Sequence, residues 1–195
     1  VLTIVVSPTG ARQQPIPSTQ GHAQIIAQGV VPMPAGEAAW RVVYRTVEPG
    51  GPTSLPSGYQ FVLVDQGTLL IESVADTRSL GQGEAMFLTP GSVADGTASD
   101  ERPAGYYALD LVEAELAGDP GDGLPIFASD PFPAPTGERD LKLIRDVLAP
   151  DETTTISSQD DEAPMVILAT LGTIAIESSD GAGDIELRVG EATTV

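Results

Sequence analysis

The sequence contains no cysteine and no asparagine, and it has a single histidine, His22. Without thiols the chain has no disulfide, no thiolate nucleophile and no thiolate zinc site. A Ser-His-Asp triad would depend on His22, and no Gly-x-Ser-x-Gly elbow precedes a predicted helix. We therefore expect neither serine hydrolase activity nor cysteine chemistry.

Basic residues are also scarce, with 9 Lys and Arg against 28 Asp and Glu, for a net charge of -19. Nucleic-acid binding needs clustered Lys and Arg to contact phosphates, so no nucleic-acid partner is expected. The acidity indicates a solvated surface, with adaptation to high salt or an affinity for cations as the alternative. No apolar run approaches the roughly 18 residues of a spanning helix, so no membrane span is expected.

The first residues allow two interpretations. Val1 to Val6 is apolar, and Thr9 and Ala11 are small residues at the spacing of a signal-peptide cleavage site. The stretch is therefore either the remnant of a signal peptide or a short, poorly packed strand, and residues 1–22 are expected to form an N-terminal segment and linker. The first interpretation predicts a secreted or cell-envelope protein, and the second a cytoplasmic one.

Short β-prone runs separated by Gly and Pro fill the stretch from Glu48 to Pro90. This pattern predicts antiparallel strands joined by hairpins, with less than about a tenth of the chain helical. Further strands are predicted at Trp40 to Val47 and at Gly105 to Val112. The region from Gly118 to Gly137 is dense in Asp, Pro and Gly, which predicts a linker.

The chain repeats itself after this linker. Residues 63–73 read LVDQGTLLIES and residues 168–178 read LATLGTIAIES, and each is followed by a Gly-Glu-Ala sequence. A repeat of this length indicates two copies of one domain. We expect Gly67 and Gly172 to occupy equivalent hairpin turns, because positive φ favours glycine. Equivalent strands should then carry Leu69, Ile71, Ile174 and Ile176.

The order of Pro-Gly turn, strand, glycine turn, strand and Gly-Glu turn resembles the conserved barrel of the cupin superfamily. The resemblance implies an all-β fold of two tandem double-stranded β-helix (jelly-roll) barrels. The expected boundaries are 23–117 for the first barrel, 118–137 for the linker and 138–195 for the second barrel, which is expected to be incomplete.

Cupin metal sites use two His and a Glu from the first motif and a His from the second. Counted from Gly67 and Pro90, this chain has Ser54, Pro56, Gln60 and Asp95 at those positions. The second copy has Met165, Asp161 and Gln159. Transition metals need converging imidazole, thiolate or carboxylate donors, so neither a metal nor another cofactor is expected.

The leading functional hypothesis is a metal-free binding or structural protein that takes a small molecule in its barrel. The candidate ligand-binding residues are Tyr59, Gln60, Phe61 and Asp95. One alternative is a metal-independent enzyme of isomerase type, or a degenerate dioxygenase, which would use Asp95, Arg45 or a tyrosine. Another is a sensor or oligomerisation module, and the fold would also allow a homo-oligomer. No catalytic residue is selected by the sequence.

Overall fold

The computed structural model of this chain describes residues 1–8, 23–56, 58–74, 76–99, 101–155, 163–177 and 184–195. The described residues form seventeen strands and one short 3-10 helix, Ala114–Leu116, so the all-β class is confirmed. In chain order the strands are β1 (Leu2–Pro8), β2 (Gln24–Pro32), β3 (Glu37–Val47), β4 (Thr53–Leu55), β5 (Tyr59–Gln66), β6 (Leu69–Ser73), β7 (Thr77–Leu80), β8 (Ala85–Leu88), β9 (Ala94–Ala98), β10 (Ala104–Glu113), β11 (Leu124–Ala128), β12 (Phe132–Pro133), β13 (Glu138–Arg145), β14 (Val166–Leu168), β15 (Thr173–Ile176), β16 (Ile185–Arg188) and β17 (Ala192–Thr194).

The chain divides into two units whose boundaries differ from the expected ones. The central unit is Glu37–Pro131, and the terminal unit combines Val1–Gly36 with Phe132–Val195. Part of the expected linker at 118–137 is strand β11, which pairs with β3. No helix in the described part of the chain is long and apolar enough to span a membrane.

The central unit contains two antiparallel sheets that share one core. The larger sheet has the order β11-β3-β10-β5-β8, and the smaller one the order β4-β9-β6-β7. Alternate side chains of a strand point to one face, and here Val62 and Tyr106 of the larger sheet pack with Leu69 and Leu80 of the smaller one. Each fully buried aliphatic side chain of this kind contributes about 1.5–3 kcal/mol to folding.

The terminal unit has a five-stranded sheet in the order β17-β14-β1-β13-β2 and the separate hairpin β15-β16. Strand β1 lies in the middle of this sheet, where it pairs with both β13 and β14. Leu2 and Ile4 are 2% and 1% exposed, so the stretch from Val1 to Val6 is not the poorly packed strand or linker that the sequence suggested. It is a core strand, because it has a paired strand on each side and its side chains at Leu2 and Ile4 are buried.

The repeated glycine turn predicted from the sequence is present in both units, but it is not a hairpin turn. Gly67 connects β5 to β6 and Gly172 connects β14 to β15, and in each case the two strands lie in different sheets. Gly67 and Gly172 have φ angles of 72° and 70°. The following strands pair in the same register, with Leu69 opposite Leu80 in β6-β7 and Ile174 opposite Leu187 in β15-β16. The Gly-Glu turns also match, because each glutamate carboxylate accepts the backbone N–H three residues earlier, at 2.8 Å in both copies.

Candidate ligand-binding site

A row of three polar residues crosses the larger sheet of the central unit. Asp110 on β10 lies directly opposite Arg41 on β3 and Gln60 on β5. Asp110 alternates with Ala108 and Tyr106 along its strand, and both belong to the core between the two sheets. The three polar residues therefore lie on the inner face of the sheet. We call Arg41, Asp110 and Gln60 the polar ladder.

The ladder consists of a buried ion pair between Arg41 and Asp110 and a hydrogen bond from the side-chain amide of Gln60 to Asp110. Arg41 donates to Asp110 Oδ2 from Nη2 at 2.8 Å and from Nε at 3.2 Å. Gln60 Nε2 donates to Asp110 Oδ1 at 2.6 Å. Asp110 and Gln60 are only 4% and 1% exposed. Both carboxylate oxygens of Asp110 are thus occupied, and its charge is matched by one guanidinium.

The side-chain oxygen of Gln60, Oε1, is unusual because it is a buried acceptor without a donor among the described residues. Exchanging the amide nitrogen and oxygen would place Oε1 against the Asp110 carboxylate, so the hydrogen bond to Asp110 fixes the orientation. An unsatisfied buried acceptor costs about 1–3 kcal/mol unless something donates to it.

Tyr106 is the next polar group on the inner face, and it lies opposite Arg45 in the paired strands. Burial raises the pKa of Tyr106 to about 12, opposed by Arg45 and reinforced by Asp110. The phenol is therefore protonated at neutral pH. Arg45 itself donates from Nη2 to the Pro120 carbonyl at 3.0 Å.

We expect this tyrosine to make the central unit sensitive to alkali. The folded-state pKa of Tyr106, about 12, lies above its ordinary value of 10.0. Its contribution to stability is complete below pH 10 and is lost as the pH rises towards 12, by an amount on the order of 2 kcal/mol. Urea titrations at pH 8, 10 and 11.5 should show this loss, and the Tyr106→Phe variant should show a shallower decline. An identical decline in both proteins would contradict the assignment.

The structure does not bring the four predicted ligand-binding residues together, and of the four only Gln60 belongs to the polar ladder. Tyr59 and Phe61 alternate with Gln60 along β5 and point to the opposite face, where Phe61 contacts Phe87 with ring centroids 4.8 Å apart. Asp95 lies on β9 between the buried Ala94 and a buried Gly96, so it faces away from the core. Ligand binding by these residues stays a prediction.

The structure adds Arg41, Asp110 and Tyr106, which the sequence prediction did not select. A signal was available for Asp110, because it is a charged residue inside the apolar run of β10. A charge in such a run must find a partner when it is buried.

The strand residues that the sequence prediction placed at the metal-ligand positions lie on two different sheets. Ser54 pairs with Asp95 on the outward side of the smaller sheet, whereas Gln60 lies on the inner face of the larger sheet. In the described part of the chain, no three His, Cys, Asp or Glu residues are close enough to hold an ion. His22, Gln159 and Asp161 lie outside the described residues.

The terminal unit provides an internal comparison for the ladder. Met165 corresponds to Gln60, since each lies seven residues before its turn glycine (165 before 172, 60 before 67). The other two positions carry Val5 and Lys142, which face each other across β1 and β13. The terminal unit thus forms the same sheet order with a different, mostly apolar set, so the fold itself does not require the ladder.

No family model matches the chain, and no curated protein matches it. Among solved structures, it is similar to the crystal structure of a Cupin 2 conserved barrel domain protein from Salinispora arenicola, at 21% sequence identity and a TM-score of 0.35. The match covers 49% of this chain and 78% of that one.

Proposed function

We propose that this chain is a cupin-like, metal-free binding protein whose central unit takes a small molecule at the polar ladder. The observation that carries the proposal is Gln60 Oε1, a buried acceptor that lacks a donor among the described residues. Natural proteins rarely leave such an atom unsatisfied, and a bound molecule with a hydrogen-bond donor would satisfy it.

The ladder also suggests the chemistry of the ligand. The Asp110 charge is matched by Arg41, so the ladder offers no uncompensated charge to an ionic ligand. The net charge of -19 further disfavours anions. We therefore propose a small neutral molecule with N–H or O–H groups, such as an amide or a polyol.

The same contacts favour binding over catalysis. A general base needs a free lone pair and a pKa near the working pH. Both oxygens of Asp110 already accept hydrogen bonds, and the pKa of Tyr106 is raised to about 12. These features argue against the isomerase-type alternative at this site.

The matching hairpins, Gly-Glu turns and sheet orders of the two units support the proposal that they are two cupin-like barrels. We infer the loss of the metal site from Ser54, Pro56, Gln60 and Asp95, the residues at the expected ligand positions. We predict that elemental analysis of the purified protein, dialysed without chelator, will find well under one equivalent of iron, manganese, zinc or nickel. A near-stoichiometric content of any of them would contradict the metal-free assignment.

Ligand-observed NMR with a panel of neutral amides and polyols tests the binding function. We expect saturation transfer to at least one member of the panel with the wild type, and about tenfold weaker binding with Gln60→Met, since one hydrogen bond is lost. Methionine is the residue that the terminal unit has at this position. No binding to the wild type, or equal binding to both proteins, would refute the proposal.

A further inference from the structure

The segment from Leu116, the last residue of the short helix Ala114–Leu116, to Gly123 contacts the side chains that β3 carries on its inner face. We call residues 116–123 the strap. Arg41 Nη1 donates to the carbonyls of Leu116, at 3.1 Å, and of Asp119. The strap is therefore fastened by the same guanidinium that holds Asp110.

Two further contacts fasten the far end of the strap. Arg45 Nη2 donates to the Pro120 carbonyl at 3.0 Å. Gly123 lies so close to the buried Val43 that a Cβ added to it would come within 2.1 Å of Val43 Cγ1. The strap thus covers Val43, which is 0% exposed.

The strap has its own internal structure. The N–H groups of Asp119 and Gly123 donate to the carbonyls three residues earlier, and the Gly121 N–H donates to Asp119 Oδ1 at 2.9 Å. Leu116, its largest apolar residue, is 49% exposed. Detaching the strap would break the three hydrogen bonds from Arg41 and Arg45 and would uncover Val43, but the strap has little buried apolar surface of its own, which is typical of segments that open locally.

We propose that the strap is a lid that opens as a unit over this side of the sheet, while the two sheets stay packed. Arg41 links the lid to the ladder, because it bonds both the strap carbonyls and Asp110. Opening would leave Arg41 bound to Asp110 alone and would give small molecules access beside the ladder. The lid goes beyond the proposed function, and its test needs no ligand.

Because the sequence has no native cysteine, an introduced cysteine is the single thiol that can react. Val43→Cys places a thiol under the strap. Val47→Cys places one on the same strand and face, but in the core between the sheets, where Val47 is 1% exposed. Opening of the lid exposes only the first thiol, whereas global unfolding exposes both. We expect the Val43→Cys thiol to react with Ellman's reagent at least about tenfold faster than the Val47→Cys thiol under native conditions.

Adding Arg45→Met removes the hydrogen bond to Pro120 and should accelerate only the Val43→Cys thiol, again by about tenfold. The exposed Arg78 on β7 supplies the control, since Arg78→Met should change neither rate. Equal reaction rates of the two thiols, or an equal acceleration of both by Arg45→Met, would contradict the proposal that the strap is a lid.

Hydrogen exchange of the unmodified protein gives a second measurement that does not depend on any substitution. Amides of the strap should exchange well before those of β3 and β10, which are paired on both sides in the sheet. Simultaneous exchange of the strap and these strands would also overturn the proposal.

Discussion

Replacing Asp110 with alanine is expected to lower the free energy of unfolding of the central unit by about 3–5 kcal/mol. Gln60 loses its acceptor and Arg41 loses the carboxylate of its ion pair, because both donate to Asp110, and Arg41 keeps only the uncharged carbonyls of Leu116 and Asp119. An unpaired guanidinium that is largely buried costs more than the ion pair contributes. Urea unfolding followed by the fluorescence of Trp40, the single tryptophan, reports on this unit.

Asp110→Asn is the matched control for this prediction. The amide removes the charge but keeps one acceptor and one donor, and the donor can reach Gln60 Oε1 once that side chain turns over. We expect a loss of about 1–2 kcal/mol, smaller than that of the alanine variant. If the two variants lost the same stability, or if Asp110→Ala lost less than about 1 kcal/mol, the ladder would not be the coupled unit described here.

The second large effect is expected at Gly67. Its φ of 72° is in the left-handed region, and a Cβ there would lie 2.9 Å from the Pro103 carbonyl oxygen and 3.2 Å from Ala104 Cα. Both contacts are with backbone, which cannot move aside as a flexible side chain can. Gly67→Ala should therefore cost about 3 kcal/mol or more, from backbone strain together with steric overlap.

Gly172 separates these two contributions. It has nearly the same φ, 70°, but no atom of the described residues lies within 4 Å of the position that a Cβ would take. Gly172→Ala should cost only the strain, about 1–2 kcal/mol. Far-UV circular dichroism during urea unfolding follows both variants, with Trp40 fluorescence as a second probe for Gly67→Ala. Equal losses in the two variants would show that the overlap at Gly67 is relieved without cost.

The glycine turns were predictable because their cause is local, although the strands that they connect lie in different sheets and form no hairpin. Gly67 and Gly172 each stand between two β-prone runs, and a turn that needs positive φ selects glycine wherever it occurs. The same local reasoning gave the all-β class and the repeated register. None of this required knowledge of which distant strands pair.

Strand pairing between distant parts of the chain was not predictable in this way. An apolar run such as Val1 to Val6 looks the same whether it is an edge strand or the centre of a sheet. Only the pairing of β1 with β13 and β14 makes it a core strand and places both ends of the chain in one unit. The Asp-Gly-Pro segment that was predicted to be a linker is partly the strap, which two arginines of β3 hold in place.

Only part of the site was predictable, because side chains along a strand alternate between the two faces of the sheet. Successive side chains point to opposite faces, so choosing Tyr59 and Phe61 together with Gln60 combined two faces of β5. Asp95 likewise lies on the face of β9 that points away from the core. Asp110 and Arg41 could be joined to Gln60 only through the register of three strands, which the sequence does not contain.

A polar ladder that serves binding, in a fold that does not need it, should be replaceable without loss of stability. The most direct measurement is the free energy of unfolding of a triple variant, Gln60→Met, Asp110→Val and Arg41→Met, which removes both charges of the ion pair and gives positions 60 and 110 the residues of the terminal unit, Met165 and Val5. Replacing a whole buried ion pair with apolar residues is often neutral or stabilising by about 1–4 kcal/mol. We therefore predict that the triple variant is at least as stable as the wild type in urea. A loss of more than about 2 kcal/mol would show instead that the ladder is a structural element of the central unit.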